Sequence, residues 1–347
     1  MKSVTAIMLM LGLVAGAPSL AALELGQADD RIVTISPQLA AALDRGVAHL
    51  ARSQNGDGSW SGKYGKNVGE TSLCLMALMA MGNLPGEGPY GASVALGVNW
   101  ILEQSKPNGL IQFTEQSDQA AAMYGHALST LMLSEVWGQT RHREGPRDVG
   151  NVLRKAADLI VQVQGPKGGW GYKSVPHDGD TSVVVMQIFA LKSAQEAGIH
   201  VPQTTIDKAI SLVKTRYNTQ ERIFGYSNDR RSDNHVGSSA AGTCIMLITG
   251  EKDPKYTASP LDEVLTITEN MCSGKKRYGH NYYFSYYAAV ASYTAGEAQF
   301  GRAMRALEPW LLKQQGRQGE WGDSPFQTAF AILAGALPYR YLPIYQR

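Results

Sequence analysis

QGPKGGW, at residues 164–170, decides the fold because the same spacing recurs as QNGDGSW at 54–60 and QGRQGEW at 315–321. Upstream of each copy runs a basic residue, a small one and a bulky apolar pair: RGVAHLARS at 45–53, KAADLIVQV at 155–163 and RALEPWLLKQ at 305–314. The spacing of the apolar positions is helical. Downstream of each copy lies a second, more apolar stretch, at 70–81, 181–191 and 326–337. Worn copies fill the gaps, at 99–110 without the Trp, at 206–226 with Phe224 in its place, and at 261–278. The apolar stretches 120–133, 242–248 and 282–293 follow them.

The pattern therefore predicts an all-α chain of six helix-hairpin repeats of roughly 50 residues, a period typical of helical arrays. A helix apolar nearly all round is buried on most sides, whereas an amphipathic one lies at a surface. The apolar helices should form an inner layer and the amphipathic ones an outer layer, closing into an (α/α)6 toroid. In each turn Gly supplies backbone angles closed to other residues. The amides of Gln54, Gln164 and Gln315 are expected to tie unpaired groups at a helix end. Trp60, Trp170 and Trp321 are expected to stack on those amides. All six read as structural staples.

The first 22 residues carry Lys2, an apolar run over 6–15 and the small residues Ala21 and Ala22. This is the pattern of a secretory signal peptide, so a secreted or periplasmic location is expected, with 23–347 as one domain. The apolar run is too short for a comfortable membrane span, and no integral span is expected after cleavage. A net charge of +2 gives no nucleic-acid footprint. Cys74, Cys244 and Cys272 are odd in number and show no metal-binding spacing, so no metal and no cofactor are expected.

The residues that open the inner helices should converge at one mouth of the ring. They include Glu70, Asp118, Tyr124, His126, His177, Asp178, Asp180, His235, His280, Tyr282 and Tyr283. Acidic residues also suit helix N-termini as caps. The sharpest group is HDGDTS at 177–182. Two crowded carboxylates repel, so one would hold its proton to higher pH. Asp180, tuned by Asp178 and His177, would then be the acid, or equally a general base. Tyrosines over 278–293 offer aromatic faces that stabilise cations, or simply pack.

The repeated motif resembles that of squalene and oxidosqualene cyclases, which form one α/α-toroid superfamily with the β subunits of protein prenyltransferases. The resemblance spans about residues 40–340. AGALPYRYLPIYQR at 334–347 and MYGH at 123–126 are similar to a bacterial branch of small, exported, single-toroid proteins. The resemblance implies an acid motif, Asp-x-Asp-Asp-Thr, whose middle Asp donates the proton. Aligned from the left, Asp178 and Asp180 are kept and Thr181 replaces the last Asp. Aligned on Thr181 and Ser182, Asp180 becomes the last Asp and Gly179 takes the donor position. Family cyclases have two toroids with the site between them and sit at the cytoplasmic face, unlike this chain. The prenyltransferase zinc site needs an Asp two residues before a Cys, and none of the three cysteines has one.

Three readings follow. One is an exported, ligand- or partner-binding toroid with a degenerate acid motif, holding an apolar or isoprenoid-like ligand or a protein segment. Another is an isoprenoid cyclase or isomerase using Asp180. The third is a carbohydrate-active toroid with Glu70, Asp118 and Asp180 in a polar cleft.

Overall fold

The structure, a computed structural model, describes residues 34–63, 65–113, 121–140, 149–227, 236–339, 342 and 344. The expected leader, Asp118 and His235 lie outside the described residues. Among the described residues there are twelve α-helices. The odd-numbered ones are α1 (Pro37–Ser53), α3 (Gly91–Glu103), α5 (Val149–Gln162), α7 (Gln203–Thr215), α9 (Ala258–Cys272) and α11 (Glu297–Gln314). The even-numbered ones are α2 (Val68–Ala80), α4 (Ala122–Thr140), α6 (Thr181–Glu196), α8 (Val236–Ile248), α10 (Asn281–Ala295) and α12 (Pro325–Gly335).

The two sets differ as their sequences require. In α1 the buried positions are Leu39, Ala42, Leu43, Gly46, Val47 and Leu50, one stripe at helical spacing. Ser36 starts it by accepting from Leu39 N at 3.0 Å, and Pro37 sits where a missing N–H costs nothing. In α2 every residue except Glu70 is buried. The even helices pack on one another in sequence, α2 on α4, α4 on α6, and so on to α12, which packs on α2. They form a closed circuit. The odd helices lie outside it; α1, for example, packs against both α12 and α2.

The turn motif makes the joints. Gln54, Gln164 and Gln315 each donate through Nε2 to the carbonyl of their own turn's Gly, at 2.9, 2.9 and 3.0 Å. Each also donates to the next outer helix: Gln54 to Ser93 O, Gln164 to Thr205 O and Gln315 to Ala42 O, at 2.9, 2.8 and 2.7 Å. The third bond joins the last repeat to the first. The glycines Gly58, Gly168 and Gly319 have φ of 95°, 102° and 96°. A Cβ on any of them would lie 2.4–2.5 Å from a backbone oxygen of that same neighbouring helix. Both the conformation and the close approach thus demand glycine.

The tryptophans make a bond that the sequence did not suggest. Trp60, Trp170 and Trp321 are fully buried and donate through Nε1 to Leu50 O, Ile160 O and Leu311 O at 2.9, 2.7 and 2.8 Å. Those carbonyls belong to the last turns of the outer helices, where intrahelical partners run out. So the indole caps the helix end, and the Gln amide spans the joint. In the worn copy at 99–110, Gln104 turns back to Trp100 O at 2.9 Å and makes no such span. Phe224 does take a Trp-like place, fully buried against Gly242.

Gly46 of α1 faces Trp321, whose Cζ3 would lie 2.4 Å from an added Cβ. Gly→Ala inside an unhindered helix stabilises by about 1 kcal/mol. Here the clash reverses the sign: Gly46→Ala is expected to destabilise by about 1–3 kcal/mol, read from the urea midpoint.

Far from the helix starts, the chain crosses under the circuit. Leu337, Leu342 and Ile344 are buried, and Ile344 N donates to Glu135 of α4 at 3.2 Å, where Ser193 of α6 also donates at 2.5 Å. Several of the inner helices' rings meet in the interior. Tyr287 donates to Met186 Sδ at 3.0 Å, and its ring lies 5.6 Å from Phe189 and 4.8 Å from Tyr283. The site is therefore to be sought where the inner helices begin. No helix among the described residues is long and apolar enough to cross a membrane.

Candidate functional site at the starts of the inner helices

Asp180 caps α6. Its Oδ1 accepts from Ser182 N at 2.9 Å, Val183 N at 3.2 Å and Ser182 Oγ at 2.5 Å. Its Oδ2 accepts from Tyr226 Oη at 2.8 Å, and that hydroxyl lies 2.7 Å from Tyr172 Oη. Because Tyr226 gives its proton to Asp180, Tyr172 must be the donor to Tyr226. Partial burial, and then the Asp180 carboxylate, push the Tyr172 phenol above its ordinary range; Tyr226 is likewise raised by burial first, so both stay protonated donors. The arrangement uses Asp180 as an acceptor on both oxygens.

The loop into α6 is held from outside. Arg216, buried at the end of α7, donates to Thr181 Oγ1 at 3.1 Å and to the carbonyls of Asp178 and Gly179 at 3.1 and 2.8 Å. Asp178 Oδ1 accepts from Lys167 N at 2.8 Å and Gly169 N at 3.2 Å. That carboxylate clamps the turn of the central repeat. His177 is exposed, and its Nδ1 accepts from Gly179 N at 2.9 Å.

Other expected mouth residues divide. His126 is fully buried. Its Nδ1 accepts from Ile111 N and its Nε2 donates to Ala156 O, both at 3.1 Å. It does for the worn turn what Thr71 and Thr328 do elsewhere, where Oγ1 accepts from Trp60 N and Trp321 N. Burial drives its pKa down to about 4, which keeps it neutral. Tyr282 packs outward on Trp310, ring centroids 5.2 Å apart, and His280 is exposed at φ 56°. Among the described residues no three His, Cys, Asp or Glu side chains gather where a metal ion could bind.

Tyr124 and Tyr283 do come together, from α4 and α10 on opposite sides of the circuit. Burial raises both phenols, and each hydroxyl feels the other and the Asp180 charge. The Tyr283 hydroxyl, on a residue only 7% exposed, has the Tyr124 hydroxyl as its polar neighbour. Glu70, in the first turn of α2, is the other group set apart. Its Oε2 is buried without a partner, and burial lifts its pKa to about 7. Gly62 makes the room: a Cβ there would stand 1.9 Å from the carboxyl oxygens.

Tyr172, Tyr226 and Arg216 were not among the expected site residues. Two of them had a signal: Trp170-Gly171-Tyr172 and Phe224-Gly225-Tyr226 place Tyr two residues after the turn aromatic in adjacent repeats. Replacing Asp180 by alanine removes a cap and the acceptor of the Tyr226 hydroxyl. The expected cost is about 1–2 kcal/mol, measured by thermal unfolding.

The fold is an α/α toroid. The type II terpene cyclase MstE from Scytonema superposes with TM-score 0.60 at 15% identity, over 88% of this chain and 99% of that one. The GH76A alpha-1,6-mannanase from Salegentibacter gives TM-score 0.62 at 10% identity, over 86% and 98%. An alpha-amylase from Clostridium perfringens gives 0.57 at 10%, over 86% and 98%. MstE has also been solved with its substrate, geranylgeranyl dihydroxybenzoate, and with its product, merosterolic acid A. At these identities the likeness concerns the fold. No protein-family model matches the chain, and no curated protein does.

Proposed function

We propose that the chain is an exported (α/α)6 toroid of six terpene-cyclase-type repeats that binds an apolar or isoprenoid-like ligand where the inner helices begin. One observation carries this reading. The rings of Tyr283, Tyr286, Tyr287 and Phe330 cluster, and Tyr283 is near enough to feel the charge of Asp180, a carboxylate already engaged as an acceptor. Rings beside fixed polar groups are the kind of lining that holds and orients an apolar body. The arrangement does not offer the acid that the Asp motif implied. Export is supported by the basic, apolar and small-residue order of residues 1–22, and is tested by sequencing the mature N-terminus.

Native mass spectrometry of the protein purified from its own host tests the binding reading. The expected result is a bound species with the mass of a polyisoprenoid or similar lipid. A bare chain, or one carrying a protein, would move the weight to a scaffold that works through its surfaces.

Acid-assisted turnover of an isoprenoid is the second reading, and Glu70 favours it. A carboxyl with a pKa near 7 and a free oxygen is a proton donor at neutral pH. Expected two-ring architecture is no obstacle, since MstE is spanned over 99% of its solved chain by this one ring. If squalene or a prenyl substrate is turned over, the activity should vanish in Glu70→Gln. Turnover that survives Asp180→Ala would remove Asp180 as donor. A carbohydrate-active ring rests on the fold of the mannanase and amylase and ranks below both, because Asp180 serves as a helix cap whose two oxygens already accept from the chain's own donors.

A further inference from the structure

The joint between the outer helices α9 and α11 departs from the pattern of the others. At two other joints the turn of one repeat covers the basic residue on the next outer helix: a Cβ added to Gly319 or Gly109 would lie 2.4 or 2.3 Å from the carbonyl of Arg45 or Lys155. Arg45 is also held through its side chain, which donates to Gln315 Oε1 at 2.5 Å. A Cβ on Gly274, in the turn that follows α9, would meet nothing within 4 Å. Arg305, which opens the same repeated stretch in α11, is exposed and makes no hydrogen bond or ion pair among the described residues.

A cleft of about 330 Å³ lies here, between the first halves of the two helices. Its two sides differ. On α9, Ala258, Leu261 and Leu265 recur at helical spacing and give an apolar wall. On α11, Gln299, Arg302 and Arg305 share one face and give a polar wall. Arg302 is committed: it donates to Glu269 at 2.7 and 3.2 Å and to Asp262 at 2.9 Å. Asp262 also accepts from Arg222 at 3.1 Å. These pairs leave Arg305 as the free cation of the cleft, near enough for Glu269 to feel its charge but in contact with no carboxylate.

A free guanidinium beside an apolar wall matches an anion with an apolar body, because the planar fork pairs with a carboxylate through two parallel hydrogen bonds. The volume, near the lower end of the range of about 300–1,000 Å³ for ligand clefts, calls for a small molecule. Asp262 also lines the cleft and opposes a second negative charge, which favours a carboxylate over a phosphate. We propose that this cleft, outside the circuit of inner helices, binds a small organic acid, with its apolar chain against Leu261 and Leu265 and its carboxylate on Arg305. The site is separate from the one proposed above at the starts of the inner helices and does not depend on it.

The test is isothermal titration calorimetry of the full chain at neutral pH with three probes: hexanoate, the matching alcohol hexanol, and acetate. Hexanoate is expected to bind. Hexanol keeps the body and loses the charge, and should bind about fivefold more weakly, the upper range for an ion pair that water still reaches. Acetate keeps the charge and loses the body, and should bind about tenfold more weakly or worse. Arg305→Gln should bring hexanoate down to the level of hexanol. Ala298→Trp, on the α11 side, should fill the cleft and remove hexanoate binding. Both positions are exposed, so both variants should melt with the parent.

Hexanoate binding that both variants keep at parent strength would place the acid elsewhere on the molecule and overturn the cleft. Loss in Ala298→Trp without loss in Arg305→Gln would overturn Arg305 as the partner of the carboxylate. Equal binding of hexanol and hexanoate would overturn the acid, and equal binding of acetate the apolar body. A parent protein that takes up none of the three has no such site, and that result leaves the reading of the inner helices where it stands.

Discussion

Trp321→Ala will cost about 3–5 kcal/mol of stability, the range for removing a fully buried large aromatic side chain. Three losses combine. The indole is fully buried and its volume becomes a cavity between α11, α12 and the Gly46 face of α1. The Leu311 carbonyl loses its donor at the end of α11, where the helix provides no other. And the joint that Gln315 makes to Ala42, which closes the circuit, loses the wall behind it. Trp321→Phe separates the terms: it keeps most of the buried surface but not the donor, and should cost about 1–2 kcal/mol from the bond alone, plus the smaller volume change. Denaturant unfolding at 25 °C measures both. A loss below about 1 kcal/mol for the alanine variant would mean that the joint holds without its tryptophan.

Glu70 and His126 give the chain two opposed pH dependences. Burial raises Glu70 from an ordinary carboxyl value to about 7. Between about pH 4.5 and 7 the folded state then binds more protons at this site than the unfolded state, so stability falls as pH rises through that window. Burial lowers His126 from 6.5 to about 4, so its contribution is whole above pH 6.5 and is lost as pH falls toward 4. Each shift is worth up to about 3 kcal/mol. In the parent protein the two slopes offset over the shared range. Glu70→Gln removes one of them. This variant should be more stable than the parent at pH 8, by up to about 3 kcal/mol, and should show the acid loss of His126 undiluted. Urea midpoints at pH 5, 6.5 and 8 decide it. Parent and variant curves that run parallel across these values would show that Glu70 ionises in the fold as freely as in water.

The fold could be read from the sequence wherever one residue does one local job. Gly58, Gly168 and Gly319 mark turns that only glycine can make, and the apolar runs of α2, α6 and α10 are buried as their composition demands. The start of α8 could not be read this way. VGSSAAG at 236–242 carries no helical period in its apolar residues, and small side chains there serve close packing, with Gly237 against Tyr283. The site was harder for a related reason. His126 and Tyr124 sit two residues apart near the start of α4, yet one is a buried strut and the other reaches the ring centre. Which way a side chain turns depends on the neighbouring repeat, and no single helix contains that information. Glu70 was legible as a polar residue at a helix start, but its shifted ionisation comes from the hairpin around Gly62 that folds over it.

The bond from Gln315 to Ala42 has a further consequence. Linear repeat proteins have end repeats with a neighbour on one side only, so they fray from their ends and need polar capping units. Here the last repeat meets the first through the same amide and glycine turn that Gln54 and Gln164 use at their own joints. No repeat is terminal, and no place exists where unravelling is cheap. Backbone amides in α1 and α12 should then exchange with solvent as slowly as those in α6, giving protection that is level around the ring where an open array would show a gradient.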